Sequence, residues 1–423
     1  MVLSASAHRR RGLSYLEVLI AAGIGLTGIL GAVALFPLAA ANMRKGVVAD
    51  CAAYIGPSAE QQASVTGALN PNRWLMNDRA FGGTTGLWGF NGTTAITASS
   101  AMGYPTNAAG LNTATGLWGA GVGYWASYCI DPRFCAEMSP IAAPAGDVPY
   151  TFPYTASQNA SDVRMVRVTL PNSPSSTLAA SAGQARLLFK VSDDLIFDRP
   201  KDALGQLPAS QGYLIDNTNT NQRRDYMAEF EYLLTLTPRM VGIPVFQDVN
   251  TGALLNSQSN PEPVPFERPT QYSLSVVVMH QRQPLLNTIV PGTANDTEAE
   301  RVLDVVSPGG FLGNGIGGGD VLVQSRAGRP ATDTVVHEGD WVMLSGMLYV
   351  TDSNGPKIAG PIFRWYRVTS LQGEAFPQGG VYQRYLTLDG PDWPVSNVPN
   401  GTQMTIVSGV VGVYEAKAPV LVP

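Results

Sequence analysis

Few side chains in this 423-residue sequence are typed and spaced for chemistry, and the most unusual of them is Glu17. It is the last charged residue before 24 uncharged positions, 18–41. A carboxylate carried to the centre of a bilayer costs roughly 2.5–3.5 kcal/mol, so an acid at the mouth of an apolar helix needs a cationic partner. Glu17 therefore reads as a pairing group rather than a catalyst. Beyond His8 the only histidines are His280 and His337, and there is no Gly-x-Ser-x-Gly, His-Glu-x-x-His or Cys-x-x-Cys arrangement. No enzyme activity, catalytic residue, metal site or cofactor is expected. Gly313-Asn314-Gly315-Ile316-Gly317-Gly318 has the spacing of a dinucleotide-binding turn, but residues 320–325 read as a strand where a pyrophosphate needs a helix, so a loop is expected. Segments 216–221 and 248–252 alternate oxygen ligands as calcium loops do, yet lack the acid at the twelfth position and read as polar turns. Cys129 and Cys135 flank a short loop with Asp131 and Pro132, which makes them candidates for a disulfide in an oxidising compartment; Cys51 would remain on a packed helix face.

The element that must position Glu17 is the N-terminal apolar run. Residues 18–41 are enough to cross a bilayer as a helix. His8, Arg9, Arg10 and Arg11 precede the run and only Arg44 and Lys45 closely follow it. That asymmetry predicts a single pass through the inner (cytoplasmic) membrane, N-terminus in the cytoplasm and body outside. A cleaved secretory signal ending near residues 39–41 would have a shorter apolar core and no acid at its mouth. Arg10-Arg11 lacks the context of a twin-arginine signal. A plain anchor explains the length but not the placement of Gly12 and Glu17. Gly23, Gly25, Gly28 and Gly31 allow close helix packing, and Pro37 is expected to kink or open the helix. Residues 42–55 continue the helical pattern, Gly56-Pro57 is expected to end it, and residues 58–69 read as a second short helix.

Arg10-Arg11-Gly12-Leu13-Ser14-Tyr15-Leu16-Glu17-Val18-Leu19-Ile20 resembles the processing motif of type IV prepilins and type II secretion pseudopilins, and residues 24–31 are similar to the glycine-spaced run of PilV-type minor pilins. The resemblance covers residues 9–55. It implies cleavage after Gly12 by a prepilin peptidase, N-methylation of Leu13, and a mature chain of 411 residues with Glu17 as its fifth. Glu17 would then serve assembly by pairing with the Leu13 ammonium of a neighbouring subunit. Other pilin or pseudopilin subunits, the inner-membrane assembly machinery and membrane lipid are the implied partners, and a pilus or pseudopilus the implied destination. Leu13 stands where Phe is commonest, Tyr15 replaces a smaller aliphatic residue, and Pro37 comes later than the family's usual proline. The bulk of the chain suits a minor or tip subunit. The reading from another class is a membrane-anchored exported adhesin or carbohydrate-binding β module.

For the rest, 45 Gly and 31 Pro with only 14% charged residues point to short strands joined by turns. A formal charge of −5 gives no field that would attract phosphate backbones, so nucleic acid is excluded as a partner. The expected class is α+β: a long N-terminal transmembrane helix followed by a large, mostly antiparallel β region, sandwich or barrel. The expected divisions are a leader at 1–12, the pilin-like helix at 13–56, a Gly/Ala/Thr/aromatic-rich region at 57–160, a β-rich domain at 161–300, and a second one, or the second half of the same body, at 301–423. Residues 80–130 carry no Asp, Glu, Lys, Arg or His and repeat Thr-Gly-Leu-Trp-Gly at 85–89 and 115–119. They read as a loop-rich insertion covering the body, or as an aromatic surface for a carbohydrate or another subunit. Strands are expected at 163–170, 185–191, 226–237, 271–280, 301–306, 320–325, 340–351, 362–371, 381–388 and 403–415.

Overall fold

A computed structural model describes residues 15–70, 73–77, 88–90, 127–138, 150–154, 162–173, 178–181, 184–185, 189, 230–238, 271–282, 299–306, 311–312, 317–352, 355–394, 401–416 and 420–421. By contacts the chain divides into residues 1–51 and residues 52–423. Helix α1 is Tyr15–Thr66, 52 residues long. It continues through Pro37, and also through Gly56-Pro57, where the sequence reading ends one helix and begins another. Packing in the second unit sustains the helix there. Ala52, Ile55, Ala59 and Ala63 recur on one helical face and are at most 3% exposed. Gly56 lies in the same face, where a Cβ would stand 2.3 Å from Tyr414 Cδ2, so only glycine admits the ring. Burial of that face offsets the hydrogen bond that Pro57 cannot donate.

The C-terminus of α1 is closed by local chemistry. Gly67 has φ +71°, its N–H donates to Ser64 O at 3.1 Å, and Ala68 N–H donates to Ala63 O at 2.9 Å, the paired bonds of a Schellman end. Arg73 Nη1 donates to the Thr66 carbonyl at 2.8 Å, satisfying a further terminal acceptor.

The described strands are β1 (Leu75–Asn77), β2 (Trp88–Phe90), β3 (Tyr128–Ile130), β4 (Thr151–Phe152), β5 (Met165–Val168), β6 (Phe230–Pro238), β7 (Gln271–His280), β8 (Glu300–Val305), β9 (Gly318–Gln324), β10 (Trp341–Asp352), β11 (Gly355–Gln378), β12 (Val381–Asp389), β13 (Gln403–Val407), β14 (Val410–Glu415) and β15 (Val420–Leu421). A short helix, α2 (Pro132–Met138), follows β3. The body is thus strand-rich, and among the described residues its ladders are antiparallel apart from β3 with β5. One sheet runs β14-β7-β6-β3-β5-β4, with β15 also on β7, and a closed barrel runs β10-β11-β12-β9-β8-β13. Side chains fill the barrel by simple alternation: Val342 and Leu344 on β10, Leu386 and Leu388 on β12, Met404 and Ile406 on β13 all enter one core. On β10 and β11 the opposite face is buried too, as at Met343, Phe363 and Trp365. Trp365 Nε1 donates to Thr235 Oγ1 of β6 at 3.4 Å, so this face of the barrel lies on the sheet.

Residues 403–415 are not one strand. Ser408-Gly409 turns the chain, so that β13 stays in the barrel while β14 pairs with β7. Gly409 has φ +82°, and a Cβ there would lie 2.8 Å from His280 O. The strands after residue 301 are therefore not self-contained. Ala185, expected to open a strand, is helical. Segments 216–221, 248–252 and 313–316, and all of 80–130 except 88–90 and 127–130, lie outside the described residues.

The notch at Gly56 makes a coupling measurable. Gly56→Ala is expected to destabilise the body by about 1–3 kcal/mol through the clash with the Tyr414 ring. In a Tyr414→Ala background the same change should cost under about 0.5 kcal/mol. Denaturant melts of the four proteins test this; equal costs in both backgrounds would show that the ring is not what the glycine accommodates.

Candidate functional site

Glu17 lies in the first turn of α1, where the positive end of the helix dipole favours an acid, and its side chain is exposed. Around and after it Tyr15, Leu16, Ile24, Leu26, Ile29 and Phe36 are exposed as well. The helix is long and apolar enough to cross a membrane. Gly12 and Leu13 lie outside the described residues.

The body holds a second arrangement that the sequence reading missed: carboxylates and guanidiniums buried where the sheet meets the barrel. Asp131 follows β3 and caps α2, its Oδ1 accepting the Phe134 N–H at 3.2 Å, with Pro132 in the first helical position, where no donor is needed. Arg282, just after β7, donates Nη1 to Asp131 Oδ1 at 2.8 Å and Nη2 to Oδ2. Arg167, on β5, donates Nη1 to Asp131 Oδ2 and Nη2 to Glu300 Oε1 and Oε2 at 2.8 and 2.7 Å. Its guanidinium carbon lies 3.6 Å from the Phe134 ring centroid. Glu300 begins β8 of the barrel, and its Oε2 also accepts the Tyr154 N–H at 2.7 Å. All four side chains are at most 4% exposed. Two acids face two bases.

A second cluster centres on Asp162. Its carboxylate accepts Arg164 Nη2 at 3.1 Å, both Arg326 terminal nitrogens, and Gln403 Nε2 at 2.9 Å, while Gln403 Oε1 accepts the Val163 N–H at 3.1 Å. Arg326 follows β9 and Gln403 opens β13, so this cluster also ties the sheet's edge to the barrel. A signal for both was present in Val163-Arg164-Met165-Val166-Arg167-Val168, two arginines inside an apolar strand. Such residues are rarely buried unless paired.

This electrostatics locks rather than catalyses. Burial alone would push the Asp131 carboxyl up; the Arg282 and Arg167 charges, with hydrogen bonds from Arg282 and the Phe134 amide, outweigh it and bring it from 3.8 to about 2. A carboxylate so fixed neither takes nor gives a proton near neutrality. Cys129 on β3 and Cys135 in α2 are separate thiols, both fully buried, and the expected bridge between them is not formed. Strand and helix hold them as apolar packing groups, and burial pushes both thiols up, so neither is a ready nucleophile. Cys51 on α1 is also free and half-buried. His337 sits 3.4 Å from Asp340 on the surface, and His280 lies against the Phe230 ring; the two histidines belong to different sites. Among the described residues no three His, Cys, Asp or Glu side chains gather as a metal site. The chain matches no protein-family model, and a comparison with curated proteins finds none similar to it.

Arg167→Met leaves two carboxylates short of a partner and is expected to cost about 3–5 kcal/mol in urea unfolding, with part of the loss recovered by adding Glu300→Gln. Asp131, lower in the folded than in the unfolded chain, contributes on the order of 2 kcal/mol above about pH 4. That contribution should fade as pH falls through 4 towards 2; stability flat across this window would contradict the pairing. Thiol titration should give three free groups in denaturant without reductant, with Cys129 and Cys135 protected in the native state. A count of one would establish the bridge instead.

Proposed function

We propose that the chain is a minor pilin- or pseudopilin-like structural subunit of a type IV pilus or a type II secretion filament. The observation that carries the reading is the lone acid Glu17 in the first turn of a helix whose described apolar side chains, from Tyr15 to Phe36, are exposed. In lipid every backbone group of such a segment is satisfied within the helix, and four glycines leave room for a neighbour's backbone. A prepilin peptidase cuts after Gly12 and exposes the ammonium of Leu13. The inner-membrane assembly machinery then draws the subunit out of the membrane, and the helices of other subunits replace lipid around α1. In that low-dielectric bundle the Leu13 ammonium of one subunit pairs with Glu17 of the next and sets axial register. The body rides outside, welded into one unit by its buried ion clusters so that only the stretch of α1 before residue 52 need change its surroundings.

Two experiments test this. Protein recovered from cells should begin at Leu13, methylated on its amine; an N-terminus at Met1 or at Asn42 would sink the reading. Glu17→Val should leave membrane insertion and cleavage intact, because the cut bond lies four residues away and the carboxylate's desolvation cost is gone. The variant should accumulate as processed monomer and be absent from sheared or secreted filament fractions, with Asp doing less harm than Val. Entry of the Val variant into filaments at the parent's level would make the chain an anchored ectodomain.

A further inference from the structure

One side of the barrel lies on the sheet, and part of another side reaches solvent. On the solvent side the outward positions of β11, β12 and β9 stand in register: Gln372 opposite Tyr385 opposite Leu322, and Phe376 opposite Gln383 opposite Gln324. The Phe376 and Tyr385 rings have centroids 6.1 Å apart and planes within 25° of parallel. Both rings and Leu322 are half-exposed, and Gln372 is exposed. Polar side chains surround this apolar patch. Gln383, itself buried, donates Nε2 to Gln324 Oε1 at 3.1 Å, and Thr387 Oγ1 donates to Asp320 Oδ1 at 2.7 Å. Asp304 neighbours Gln324 across the β8–β9 ladder, with its side chain 40% exposed. None of the outward positions 320, 322, 324, 370, 372, 376, 381, 383, 385 and 387 is Lys or Arg.

We infer that this face binds a neutral glycan. A pyranose ring presents an apolar C–H surface edged by hydroxyls that each donate and accept. The aromatic pair meets the C–H surface, and the exposed Gln372 amide, with donor and acceptor on one side chain, meets the hydroxyls. The outward positions around the rings carry Asp304 and Asp320 and no Lys or Arg, Arg326 beside Asp304 is buried, and Arg367 lies further along β11, so phosphates and uronates are disfavoured at the rings. A protein partner would more typically meet Arg and a larger apolar centre. Paired strands of a filled barrel hold the groups in place before binding, which lowers the ordering cost of association. The inference does not depend on membership of a filament.

Affinity electrophoresis of the full chain, solubilised in a detergent without a sugar headgroup, tests it. The gels contain dextran, mannan or laminarin as neutral probes and polygalacturonate as the anionic one. At least one neutral polysaccharide should retard the protein and polygalacturonate should not. Phe376→Ala and Tyr385→Ala should each weaken that retardation about tenfold, while Tyr385→Phe keeps it. Gln372→Ala, at an exposed position away from the core, should weaken it severalfold and decides the matter if the ring variants fold poorly. No retardation by any neutral probe, retardation by polygalacturonate alone, or retardation unchanged in the folded variants would overturn the inference.

Discussion

A helix with apolar side chains exposed around its whole circumference cannot stay in water, and this constraint governs the first unit of the chain. Exposing many such residues at roughly 25 cal/mol for each Å² of apolar surface is far costlier than most proteins' net stability. The segment must be enclosed, either by lipid or by other helices. Glu17 makes the choice matter: lipid offers a carboxylate no partner, whereas a bundle can bring a cation to it. On the proposed reading that difference drives the helix from membrane to filament.

Beyond residue 51 a different device operates. The sheet and the barrel meet over buried charge: Arg167 spans Asp131 at the cap of α2 and Glu300 at the first residue of β8, and Asp162 receives Arg164, Arg326 and Gln403. Well-packed apolar residues can match such clusters for stability, but ionic clusters punish misregister, because a slipped partner leaves a charge buried and alone. Strands 403–407 and 410–415, split between barrel and sheet by one turn, add a covalent tie at the same boundary.

Much of this was legible in the sequence, for identifiable reasons. The apolar run and its acid are local features, so the first part of α1 and the place of Glu17 at its start follow from the local sequence. The expected and observed bounds of strand 271–280 agree because Tyr272, Leu274 and the run 276–279 have no competing pattern. The continuity of α1 through Gly56-Pro57 was not legible, since the packing that sustains it comes from Tyr414, some 360 positions away. The break at Ser408-Gly409 was hidden because both flanking strands are equally apolar, and only pairing partners distinguish them. The ion clusters join residues 131, 167, 282 and 300, which no spacing rule connects. The aromatic face was missed likewise: Phe376 and Tyr385 become neighbours only through the register of β11 with β12.

The most direct test of the central claim asks what surrounds α1. A photo-crosslinking residue placed at Ile24, on the exposed apolar helix, reports its neighbours in cells. In the membrane fraction of cells lacking the assembly machinery the account predicts adducts with lipid. In the sheared or secreted fraction of complete cells it predicts adducts with another protein's apolar N-terminal helix. Lipid adducts alone, in every fraction and in both cell types, would contradict it.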